Sequence, residues 1–175
     1  MRSFNFRGFN VGRVVKQELS TYVLLGIDNT RNSSMYILWE DLNGKFTTEN
    51  YETGGKRLEA DYAKVNFMLE SAELEDANVY VYGALSNWEL APENRMVYNA
   101  EKKAYEAQLF LKQGIYNYRY FVKGLKETKD ENYFEGNYSA AENQYDILVY
   151  YRIPGEFYDR IIGYQSYRYL GGTRR

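Results

Sequence analysis

The chain has 175 residues, with 22 Lys and Arg against 24 Asp and Glu, a formal net charge of −2. That near-balance argues against broad electrostatic binding to nucleic acid or to an anionic membrane. The absence of Cys and His excludes thiol catalysis, disulfides, thiolate metal sites, the Ser-His-Asp triad and imidazole acid–base chemistry. Twenty Tyr, nine Phe and two Trp favour the half-buried surface of a pleated sheet. The opening Met1-Arg2-Ser3-Phe4-Asn5-Phe6 lacks the apolar core of a signal peptide. No apolar run approaches the ~18 residues of a spanning helix.

Taken in chain order, the sequence predicts strands almost throughout. Phe4, Phe6 and Gly8-Phe9 suggest a short strand, and 11–19 a second with a broken pattern. The runs 21–27 (TYVLLGI) and 34–39 (SMYILW) are compact and apolar, each followed by turn residues, Asp28-Asn29 and then Asp41-Leu42-Asn43-Gly44. Residues 40–61 are polar with a central Gly54-Gly55, a composition that suits a linker. Over 63–69, Ala63, Val65, Phe67 and Leu69 alternate with Lys64, Asn66 and Met68, the period of a half-buried strand. A strand over 78–85 places Val79 and Val81 opposite Tyr80 and Tyr82, and a short one covers 95–98. After a turn at 99–103, the strand 104–111 puts Tyr105, Ala107, Leu109 and Leu111 on one face. The return strand 115–123 puts Tyr116, Tyr118, Tyr120 and Val122 on one side and Asn117 and Arg119 on the other. Residues 124–145 form a long connection, and 146–152 (DILVYYR) the last clear strand, stopped at Ile153-Pro154-Gly155. The tail then runs through Tyr158-Asp159-Arg160 to Arg168, Arg174 and Arg175. Short strands at regular spacing predict an all-β protein, an antiparallel β-sandwich from about residue 60 to 155.

No catalytic constellation stands out, and the reading is of a protein that is not an enzyme and carries no cofactor or metal. Asp130, Glu131 and Glu135 lack the spacing of an EF-hand, and no phosphate-cradling glycine motif is present. The aromatic residues are the better lead. Tyr116, Tyr118 and Tyr120 are expected either to pack in the sheet or to form an exposed recognition face. Trp88, on a turn after a strand, can stack on a sugar ring or plug the end of the sandwich.

Gly83-Ala84-Leu85-Ser86-Asn87-Trp88, followed by 109–120 (LFLKQGIYNYRY), resembles an early-set immunoglobulin-like module of the kind found in starch- and glycogen-binding proteins. That resemblance implies a Trp88 that stacks on glucose and an Arg119 that contacts hydroxyls. Where such modules often carry a second stacking aromatic just past Val122, this chain has Gly124-Leu125-Lys126. A wider set of residues resembles the C-terminal part of the type IX secretion system plug protein family of Bacteroidetes. It comprises Gly83 to Trp88, Leu111-Lys112-Gln113-Gly114, Tyr116-Asn117-Tyr118, Glu135-Gly136, Glu142-Asn143, Val149-Tyr150-Tyr151-Arg152, Gly155 and 158–164 (YDRIIGY). Ala141 stands where that family's pattern leads one to expect Thr.

The plug resemblance implies strands of a truncated β domain over 1–50, a linker over 51–61, an immunoglobulin-like sandwich with a C-terminal arm over 62–164 and a tail over 165–175. It also implies a periplasmic, cell-envelope location and an outer-membrane translocon protein as partner. The candidate binding residues are Tyr116, Tyr118, Tyr120, Tyr158, Asp159 and Arg160 for a protein partner, and Trp88 and Arg119 for the carbohydrate alternative. The Tyr158-Asp159-Arg160 segment is expected to pair with a partner, or to act as an arm clamping back on its own domain. The first fifty residues are expected to pack onto the sandwich or to exchange with a second chain, since open strand edges invite association. A carbohydrate-binding module and a purely structural accessory domain are the alternatives.

Overall fold

The computed structural model describes residues 6–11, 15–17, 20–32, 41–50, 60–126 and 129–169. The predicted strand at 34–39, the Gly54-Gly55 linker centre and the terminal Arg174-Arg175 lie outside these residues. The fold is all-β, and no α-helix occurs among the described residues.

Two sheets face each other across one core. The first is centred on β10 (Gly114–Gly124), which pairs antiparallel with β1 (Arg7–Asn10), β5 (Phe46–Thr48) and β7 (Ala77–Tyr82). In the second, β2 (Val15–Gln17), β3 (Ser20–Leu24), β6 (Tyr62–Glu70), β9 (Ala104–Lys112) and β8 (Val97–Asn99) follow in that order. The two-residue β4 (Asp28–Asn29) also pairs with β6. Both β3 and β4 run parallel to β6, an exception to the antiparallel pattern.

The predicted alternation carries the core. Ala63, Val65, Phe67 and Leu69 stand opposite Leu111, Leu109, Ala107 and Tyr105 across the β6–β9 ladder. Side chains in register on one face of a sheet pack as cross-strand pairs. Val79, Val81, Tyr116, Tyr118, Tyr120 and Val122 close the core from the opposite sheet. Gln113 alone separates β9 from β10, so the chain changes sheets in one residue. The buried Gln113 side chain accepts from the Asp61 backbone N–H at 2.9 Å, anchoring the entry to β6. Close approach also requires Gly114, because a Cβ there would meet the Thr48 Cα at 2.9 Å.

Several boundaries differ from expectation. The strand predicted over 78–85 stops at Tyr82, and 84–86 form a 3-10 turn. The polar 40–61 stretch contributes β5 to a sheet, so part of it is sheet rather than linker. As the first of the two expectations for residues 1–50 had it, β1, β3 and β4 pair directly with sandwich strands. The tail forms β12 (Arg160–Tyr169), which pairs with β11 (Asn143–Tyr151) in a separate two-stranded ribbon.

Candidate functional site

Of the residues singled out in the sequence, Tyr116, Tyr118 and Tyr120 lie in the core, between 0% and 3% exposed. Of the two expectations, packing in the sheet is the one found and the exposed recognition face is corrected, because their face of β10 is covered by β6 and by Phe9 of β1. Phe9 stacks on Tyr116 with centroids 5.4 Å apart and meets Tyr118 edge-on at the same distance. Their hydroxyls are satisfied internally. Tyr116 donates to the Lys112 carbonyl at 2.6 Å, Tyr120 to Asp28 Oδ2 at 2.7 Å, and Tyr118 also donates to Asp28 Oδ2.

Asp28 belongs to a buried ionic cluster that ties the N-terminal strands to the long 124–145 connection. Arg7 Nε donates to both oxygens of Glu135 at 2.9 and 3.1 Å, and Arg7 Nη1 stands 3.1 Å from Asp28. Glu135 Oε1 also accepts from the Tyr120 backbone N–H at 3.0 Å. Glu135, named in the sequence as a carboxylate without metal-site spacing and within the Glu135-Gly136 motif, is therefore a core residue. Burial works against the charge of Arg7, and Glu135 and Asp28 overcome it, holding the guanidinium above its ordinary range. The same burial, with Asp28 beside them, raises the Tyr118 and Tyr120 hydroxyls well above the ordinary tyrosine value.

Trp88 and Arg119 are brought together, and the link between them is Tyr82. β7–β10 pairing sets Tyr82 opposite Arg119 on the outer face of the first sheet. Trp88 is 42% exposed and meets Tyr82 edge-on at 5.6 Å and Phe6 at 6.0 Å. Its backbone has φ of +60°, and that of Asn87 +53°, an unfavourable conformation for a bulky residue. The turn is closed by bonds from the Asn87 N–H to the Ala84 carbonyl at 3.1 Å and from the Trp88 N–H to the Gly83 carbonyl at 3.0 Å. The indole rests on Gly44, where φ is +77° and a Cβ would strike the Trp88 and Phe6 rings. The predicted turn at 41–44 thus supplies the floor under Trp88.

Arg119 is clamped rather than offered. Its guanidinium lies over the rings of Tyr82 and Phe121, 5.1 and 4.8 Å from their centroids. It donates to Asn132 Oδ1 and stands 3.6 Å from Glu131. Burial lowers its pKa, and Glu131 opposes that shift. Trp88 is left as an accessible ring, while the cation expected to reach a ligand is held by its own chain. Tyr82 and Phe121 were legible as strand residues, but the ladder they form depends on a register no local pattern reveals.

The third surface is the β11–β12 ribbon. Within it, Ile147, Leu148, Val149, Tyr150 and Tyr151 of β11 and Ile161, Ile162, Tyr164 and Tyr167 of β12 are 46% to 63% exposed. Among the described residues neither strand pairs with the sandwich. Tyr158, Asp159 and Arg160 sit at its tip and are paired within it. Asp159 accepts two bonds from Arg152 at 2.8 and 3.0 Å, and Arg160 Nη2 donates to Glu156 at 2.5 Å and to the Tyr158 hydroxyl at 3.0 Å. A ribbon with apolar side chains open to water over its length is the kind of surface that marks a contact site.

No protein-family profile matches the chain, and no curated protein matches it. A solved structure, that of a hypothetical protein from Parabacteroides merdae ATCC 43184, is similar, with a TM-score of 0.78 and 32% identity over 95% of this chain. The match covers 45% of that protein, so the chain spans less than half the length of the solved relative.

Proposed function

We propose that this chain is a non-enzymatic, periplasm-facing protein-binding module, resembling the plug that closes the periplasmic side of the type IX outer-membrane translocon. The observation that supports protein binding is the open β11–β12 ribbon, whose tyrosines and aliphatic residues stand in solvent. Tyr is enriched among residues that dominate binding energy, and exposed aromatics on a stiff element form such anchors at little entropic cost. The plug reading itself is supported by the motifs around Trp88, Gln113-Gly114, Glu135-Gly136 and the ribbon.

The test is capture of partners from detergent-solubilised cell envelopes on the tagged chain, read by mass spectrometry. The expected result is recovery of the large translocon barrel, reduced at least about tenfold by Tyr164→Ser with Tyr167→Ser. Retention of the chain on an immobilised α-glucan in a Trp88-dependent way, with no barrel recovered, replaces this reading with the carbohydrate-binding one.

A further inference from the structure

We infer that the outer edge of β11 is a self-pairing surface, and that its occupant is β11 of a second copy of this chain. The two edges of the ribbon are not equivalent. β12 is blunted by a bulge, since Val149 pairs with Gly163 and Tyr150 with Ile161, leaving Ile162 as the extra residue. It also carries Gly163 and the charges of Arg160 and Arg168. Bulges and basic side chains are the devices that keep strand edges from pairing. β11 has none of them. Its nine residues, NQYDILVYY, contain no Pro, Gly or Lys and a single charge, Asp146. Among the described residues no strand lies on its outer side, and Leu148 is 46% exposed.

The sequence of β11 specifies its own complement. A two-fold axis through Leu148, with the strands antiparallel, sets Tyr145 opposite Tyr151, Ile147 opposite Val149 and Asp146 opposite Tyr150. Aromatic pairs and pairs of β-branched residues are the favourable cross-strand combinations, and like charges directly opposite are the unfavourable one. Here the two Asp146 carboxylates, each already accepting from the Tyr164 hydroxyl at 3.0 Å and from Gln144 at 3.2 Å in cis, do not face each other, and each comes opposite a Tyr150 phenol. The remaining charges of the ribbon are met in cis, by the Arg152–Asp159, Arg160–Glu156 and Arg168–Glu142 pairs. A neutralised, self-complementary edge fits a second copy better than a strongly acidic or basic partner. Pairing would use main-chain groups and leave the side-chain faces of both ribbons open. The inference is therefore independent of the plug reading.

Sedimentation or light scattering on the intact chain at about 100 μM, a concentration suited to a small interface, is expected to give twice the 20.7 kDa mass. Leu148→Lys and Leu148→Glu each place like charges at the two-fold axis, and each alone is expected to weaken association at least tenfold. Mixed in equal amounts, they are expected to form a heterodimer, which also shows that both variants are folded. A monomeric wild-type chain overturns the inference, as does a dimer indifferent to both substitutions or a mixture that stays monomeric. The Tyr164→Ser, Tyr167→Ser chain is expected to remain dimeric, which separates a failure here from a failure of partner capture.

Discussion

Arg7 shows what a single side chain contributes when its partners come from distant parts of the chain. Glu135 lies 128 residues away in sequence and is almost fully buried beside it. Removing one member of a buried pair leaves an uncompensated charge, at a cost of about 3–5 kcal/mol. Arg7→Ala is therefore expected to lower unfolding stability by that order, measured by urea denaturation. Arg7→Met combined with Glu135→Leu is expected to recover most of the loss, because replacing both charges by apolar groups removes the orphan. A loss under about 1 kcal/mol in the single variant indicates that water reaches the pair. Trp88 could be singled out from its turn sequence, whereas the pairing of Arg7 with Glu135 could not, since nothing local distinguishes either from a solvated charge.

Among the elements, the β9–β10 junction, where the chain crosses from one sheet to the other through Gln113, is closely packed. The strand edge of β5 runs so close to Gly114 that a methyl group would press on the Thr47 and Thr48 backbone. Gly114→Ala is expected to cost about 1–3 kcal/mol, as over-packing does. Gly26→Ala, where nothing lies within 4 Å, is expected to stay within about 0.5 kcal/mol of the parent. Equal denaturation midpoints for the two variants would show that β5 yields freely. The strands themselves were largely legible, because alternation with period two is a local property. Their ends shifted where tertiary contacts intervened. The strand at Asn78 stops when Gly83 meets the 41–44 turn, with the Ala84 N–H donating to the Gly44 carbonyl at 2.9 Å.

For the molecule as a whole, the Tyr-rich core sets an alkaline limit. Burial pushes the Tyr116 hydroxyl up to about 12, and Tyr118, Tyr120 and Tyr105 are raised for the same primary reason. In the unfolded chain each of these ionises near the ordinary value of about 10. Above that pH the unfolded state has released protons that the native state retains, so stability falls as pH rises. The slope reaches at most about 1.4 kcal/mol per pH unit for each such tyrosine, and only between its unfolded and its native ionisation. Below pH 10 the same groups are neutral in both states and contribute no pH dependence. Phenolate absorbance followed with circular dichroism is expected to show Tyr116, Tyr118 and Tyr120 ionising only together with cooperative unfolding. A single smooth titration of all twenty tyrosines, with the sheet signal intact, would rule this out.

The strands, the inward-turned faces of β6, β9 and β10 and the places of the tight turns were legible from the residues alone. Each of these follows from side-chain period and turn chemistry within a few residues. Long-range packing set the rest. It joined Trp88 to Arg119 through Tyr82, buried Glu135, and took the tyrosines of β10 out of solvent. It also left Ile147, Leu148 and Val149 exposed, although their composition is that of a core strand. A strand's own residues fix which side chains share a face. Whether a second layer covers that face depends on where the rest of the chain goes.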